Sequence, residues 1–127
     1  MLFLARATGV IIEVEVLGML EQLFGSRTRV KLLRMFLNNP QQPYYLRQLS
    51  REVGAQLNSV RREVANLMDL GIITQHFAAD PKTAPRGETV KKYYAANTAY
   101  ILYAELRALL MKAQLMVEKS LIGKIKN

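Results

Sequence analysis

The sequence predicts a mainly α domain with a small β-hairpin and a long C-terminal helix, and three patterns carry that expectation. Apolar residues recur at helical spacing in short runs that stop at glycines. Two strand-like runs flank a segment containing Pro81, Pro85 and Gly87. The C-terminal stretch keeps a heptad-like apolar seam. A chain of 127 residues suits one core with appendages, divided here into an N-terminal extension or arm (1–22), a central domain (23–97) and a C-terminal helix (98–127).

In the extension, Val10-Ile11-Ile12-Glu13-Val14-Glu15-Val16 is rich in β-branched residues and alternates over its second half. That pattern favours a strand, with a helical arm as the alternative. An apolar strand needs a partner surface, either a second copy of the chain or the edge of the hairpin sheet. Ser26 is the expected N-cap of the next helix, with Val30, Leu33, Phe36 and Leu37 as its buried stripe and Arg27, Lys31 and Arg34 outside. Asn38-Asn39-Pro40-Gln41-Gln42-Pro43 breaks that helix, because proline lacks an amide hydrogen and restricts its predecessor. Tyr44 and Tyr45 follow as a short extended segment. Both are read first as packing residues and second as base-stacking ones.

The stretch 44–75 organises the chain. Leu46, Leu49 and Val53 mark one face of a short helix, and Gly54 supplies the left-handed residue that ends it. Leu57, Val60, Val64 and Leu67 then repeat at helical spacing as far as Leu70, where Gly71 stops the pattern. The opposite face of this second helix carries Asn58, Arg61, Arg62, Ala65, Asn66 and Asp69. Asn and Arg have the donor and acceptor geometry of adenine and guanine edges in a major groove, and Ala65 leaves room for close approach. Asn58, Arg61, Arg62 and Asn66 are therefore the candidate base-reading residues. Glu63 falls between the two faces and is expected to pair with an arginine.

Residues 72–77 and 90–95 are strand-like and make a hairpin with a long tip. Lys82, Arg86, Lys91 and Lys92 on it are placed to reach phosphates or an adjacent minor groove, with Arg47, Gln56 and Ser59 as further backbone candidates. His76 is expected to be structural, on a half-buried strand. From about Tyr100 to Ile122 the chain is helical again. Leu102, Leu106, Leu109, Ala113 and Met116 form its seam, widened by Tyr103, Leu110, Val117 and Leu121. This helix either packs on its own domain or forms a dimer interface. The second is expected, through Leu102, Leu106, Leu109, Leu110, Ala113, Met116 and Val117, so that a chain ending at Asn97 would be a folded monomer.

The formal net charge is +8, and it is segregated. Residues 25–97 hold twelve basic and five acidic side chains, whereas residues 1–24 hold one and three. An excess on the central domain is the footprint expected of a phosphate-binding surface. With no cysteine and one histidine, disulfides, thiolate metal sites and cysteine catalysis fall away. No carboxylate pair, activated nucleophile or phosphate-cradling glycine loop is visible, so no enzyme activity and no cofactor or metal is expected. Glu13 and Glu15 interrupt the most apolar run, and the start lacks a basic region ahead of an apolar core. A cytoplasmic protein without a membrane partner is expected.

The run from Leu23-Phe24-Gly25-Ser26 to Leu37, then Tyr45-Leu46-Arg47-Gln48-Leu49, Leu70-Gly71-Ile72-Ile73 and Lys92-Tyr93-Tyr94 resembles the winged helix-turn-helix domain of bacterial and archaeal regulators, in its ArsR-like branch. It is especially similar to the small domains found alone or just ahead of minimal nucleotidyltransferase modules, over residues 23–110. The resemblance implies a homodimeric, sequence-specific regulator of transcription that binds double-stranded DNA, with the second helix in the major groove and the wing on the flanking backbone. It also implies that the segment at Tyr44 pairs with the wing strands. Gln56 stands where the family often has a capping serine, which weakens that cap. The metal sensing found in many relatives has no ligands here. Two other readings are a winged-helix adaptor for a separately encoded nucleotidyltransferase-type partner and a double-stranded RNA or non-specific nucleic-acid binder.

Overall fold

The computed structural model describes the backbone of residues 9–78 and 91–126, and side chains for 16, 18–78 and 91–116. Five helices and a two-stranded antiparallel hairpin make up this part of the chain, in the order α1 (Gly9–Phe24), α2 (Arg27–Asn38), α3 (Leu46–Val53), α4 (Leu57–Leu70), β1 (Ile73–Phe77), β2 (Lys92–Ala96) and α5 (Tyr103–Lys126). Among the described residues no helix is long and apolar enough to cross a membrane.

Local chemistry sets most boundaries. Ser26 caps α2, its Oγ accepting from the Arg29 amide at 3.1 Å. The turn between α3 and α4 is closed by Gly54 at φ 69°, while Ser50 Oγ donates to the Ala55 carbonyl at 2.6 Å. Gly71, at φ 87°, ends α4 and turns the chain into β1. Gln56 precedes α4 with no side-chain cap, yet the helix starts at Leu57, because the buried Val60, Val64 and Leu67 hold it from the core side. In the hairpin Ile73 faces Ala96 and Phe77 faces Lys92. Tyr44 adds a bridge on the far side of β2, its amide and carbonyl each bonded to Tyr94 at 2.8 Å. The Tyr44 ring is buried and meets Phe36 edge-on, with centroids 5.5 Å apart, so its packing role holds. Burial, followed by the negative charge of Glu52, raises its phenol above the ordinary range.

A single apolar cluster runs from Val16 to Ala113, through Leu32, Leu33, Phe36, Leu37, Leu49, Val60, Val64, Leu67 and Ile73. Two expectations change here. Residues 10–16 are not a strand but lie in α1, whose contact with α5 is the most extensive between any two helices. A β-branched run has a strand preference only if a pleated edge is there to receive it. As a helix it places Val16 and Leu20, one turn apart, in the core.

The second change concerns α5. Leu110 and Ala113, expected between two chains, are buried within one, in the cluster that holds Val16 and Leu20. Leu106 and Leu109 are half-buried against the same cluster, whereas Leu102, Leu115 and Met116 are exposed. Two polar contacts fix the helix on α2. Arg107 Nε donates to the Leu37 carbonyl at 3.1 Å, at the C-terminal end of α2 where cations are favoured, and Asn38 Nδ2 donates to Gln114 Oε1 at 2.8 Å. A helix with an intramolecular partner on one side still leaves apolar area on the other. The side chain of Val117 lies outside the described residues.

Candidate functional site

The helices α3 and α4 and the strand β2 enclose a groove of about 660 Å³, lined by Tyr45, Leu46, Arg47, Gln48, Arg51, Leu57, Arg61, Lys91, Lys92 and Tyr94. Five of these side chains are cationic and none is acidic. Their convergence follows from topology. Arg47 and Arg51 are one turn apart on the outer face of α3, opposite the buried Leu49 and Val53. Arg61 projects from the first turns of α4. The bridge from Tyr44 to Tyr94 draws β2 alongside, bringing in Lys91 and Lys92.

The base-reading candidates do not all share this groove. Asn58, Arg61, Arg62, Ala65, Asn66 and Asp69 are all exposed, as the spacing predicts. Arg61 stands on the groove edge of α4, and its Nη1 donates to Asn58 Oδ1 at 2.9 Å. Ser59, Arg62 and Asn66 line a second concavity of about 460 Å³ on the other edge of α4, with Gly25, Ser26, Thr28 and Glu63. The periodicity that put them on one face is correct to within a turn, but α4 is a ridge between two hollows. Gln56 is exposed at the foot of that ridge. Lys82 and Arg86 lie outside the described residues.

Other cations are committed to the fold. Arg29 Nε donates to Glu63 Oε2 at 2.8 Å, and Nη1 donates to the Phe24 carbonyl at 2.7 Å, clamping α2 to α4. Glu63 thus has its arginine, from α2 instead of its own helix. Lys31 Nζ donates to the Val53 carbonyl at 3.1 Å and so caps the C-terminal end of α3. Arg27 forms an exposed pair with Glu21. Among the described residues, the cations that converge without a carboxylate partner are those on α3, on α4 and at the start of β2. His76 is exposed rather than half-buried, and its Nε2 shares a 2.8 Å hydrogen bond with Thr74 Oγ1.

Sequence reasoning overlooked Arg51, although its four-residue spacing from Arg47 marked the shared face. It also overlooked the pairing of Tyr45 with Tyr93. The two rings lie 4.2 Å apart between centroids, the Tyr45 hydroxyl donates to that of Tyr93, and Lys91 Nζ sits 5.7 Å from the Tyr45 ring centre. Being the donor in that bond, then some desolvation, holds the Tyr45 phenol above its ordinary value near 10. The folded state thus favours protonated Tyr45, a contribution full below pH about 10 and lost as pH rises through the raised folded value. Tyr93→Phe is expected to bring the Tyr45 titration back down, as followed by NMR of the labelled ring. An unchanged titration would remove the pair as its cause.

Compared with known proteins, the chain matches no protein-family model and no curated protein.

Proposed function

We propose that the chain is a sequence-specific regulator of transcription that binds double-stranded DNA in the cytoplasm, with a winged helix-turn-helix of the ArsR-like kind. In this reading α3 and α4 are the helix-turn-helix, α4 enters the major groove, and the β1–β2 wing lies on the flanking backbone. The observation that carries it is the groove beside α4, where Arg47, Arg51, Arg61, Lys91 and Lys92 meet with no acidic side chain among the described lining residues. Five cations converging from three elements suit a polyanion. The exposed Asn58, Arg61, Arg62 and Asn66 next to them suit base edges. An adaptor face for a protein partner would be expected to be apolar or aromatic at its centre instead.

The active species is a homodimer. One winged helix covers too few base pairs for a unique site, and a two-fold pair places recognition helices about 34–36 Å apart in successive major grooves. Support comes from the apolar side chains that α1 and α5 leave exposed, Met19 and Met116 on the lining of a shallow hollow of about 310 Å³, and Leu23 and Leu115 on the same two helices.

Selection of bound sequences from a random DNA pool at two salt concentrations is the direct test. A near-palindromic preference with steep salt dependence is expected. Recovery of unselected sequences, or equal binding of double-stranded RNA, would reject specific DNA recognition, and sedimentation as a monomer at micromolar concentration would reject the dimer.

A further inference from the structure

We propose that Arg61 reads a guanine and that Asn58 is its positioning residue, not a second base reader; this assignment rests on the DNA-binding reading above. The two residues stand one turn apart on the exposed side of α4, and Arg61 Nη1 donates to Asn58 Oδ1 at 2.9 Å. Arginine only donates, so the atom it meets is the amide oxygen.

Two consequences follow from that bond. The first concerns the guanidinium. Its Nε and Nη2 donors have no partner among the described residues, and they form one edge of a rigid, planar fork. Two parallel donors match O6 and N7 of guanine, which offers two acceptors side by side in the major groove; adenine presents one acceptor and one donor there. A fork already held by Asn58 also loses less side-chain freedom on binding than a free arginine would.

The second consequence concerns Asn58. Bidentate recognition of adenine requires the amide to accept from N6 while donating to N7. Here one of the two acceptor sites of that oxygen is taken by Arg61, and the contact turns the amide plane toward the guanidinium. Arg61 lies at the margin of the basic groove, with Leu57 and Arg47 also lining it, so the reading edge is next to the phosphate-binding surface. One residue on this ridge therefore specifies a base, and its neighbour fixes the direction in which it points.

The test uses the full chain and fluorescein-labelled duplexes carrying the sequence recovered by selection. Replacing one guanine at a time with 7-deazaguanine, which lacks the N7 acceptor, is expected to weaken the wild type about 5-fold or more at one position. Arg61→Ala is expected to be insensitive to that replacement. Asn58→Ala should lose much of the same guanine preference, and the double variant should bind as Arg61→Ala does. Asn58→Asp keeps the oxygen and drops the amide donor. It should retain the guanine preference while binding all sequences more weakly, because it adds negative charge. Both positions are exposed, so these variants fold. Independent, additive losses, with Asn58→Ala relaxing an adenine position and sparing the guanine, would overturn the assignment. So would Arg61→Ala weakening selected and random DNA alike, which makes Arg61 a phosphate contact. Those two results leave sequence-specific DNA binding intact; a wild type that selects no sequence removes the sequence-specific reading and this assignment with it.

Discussion

A chain ending at Asn97 is expected to unfold, because α5 completes the core from which it would be removed. Leu110 is 1% exposed and Ala113 7% exposed in the single chain, in the cluster that also buries Val16 and Leu20. Truncating Leu110 alone to alanine should cost about 2–5 kcal/mol, a large share of the roughly 5–15 kcal/mol that holds such a domain together. Deleting the helix further strips the Arg107 contact from the Leu37 carbonyl and the Gln114 contact from Asn38. Leu115 on the same helix is 50% exposed, so Leu115→Ala should shift monomer stability by no more than about 0.5 kcal/mol. Urea unfolding followed by circular dichroism, at a protein concentration where the chain sediments as a monomer, would check all three. If the truncated chain unfolded cooperatively at the full-length midpoint, α5 would be an appendage after all.

That contrast on one helix explains what could be seen in the sequence. The stripes of α3 and α4 and their stops at Gly54 and Gly71 were legible because each is decided within a few residues, by helical period and by a left-handed φ that glycine tolerates. The seam of α5 was legible as apolar, but a heptad cannot say whether its partner is the same chain or another. The answer lay in α1, at the opposite end of the sequence, where residues 10–16 have the local pattern of a strand and only the packing against α5 makes them a helix. The site divided in the same way. Exposed positions on α4 followed from counting, whereas the groove depended on long-range contacts, the Tyr44 to Tyr94 bridge and the Tyr45 to Tyr93 pair, which bring Lys91 and Lys92 beside Arg47 and Arg51. Nor could counting separate the groove cations from Arg29 and Lys31, whose side chains hydrogen-bond to groups on other elements.

On the proposed DNA-binding reading, the combined substitution Arg47→Ala, Lys91→Ala and Lys92→Ala is expected to reduce the salt dependence of binding by about 2.7 in the slope of log K against log salt, about 0.9 for each lost phosphate contact. All three line the groove and are exposed, so the fold should be unaffected and the preferred sequence should stay the same while every sequence binds more weakly. The decisive comparison removes charge elsewhere. Lys31→Ala takes one positive charge from the same domain, but its ammonium is spent on the Val53 carbonyl at the end of α3. It should therefore lower the urea midpoint and leave the slope nearly unchanged. Binding that followed net charge alone would respond to each removed cation equally, whatever its place. Anisotropy titrations of the wild type and both variants across a range of salt distinguish the two cases: a slope that falls by the same amount per charge in the triple and in Lys31→Ala would mean that the groove has no special part in holding DNA, and that a diffuse positive surface holds it instead.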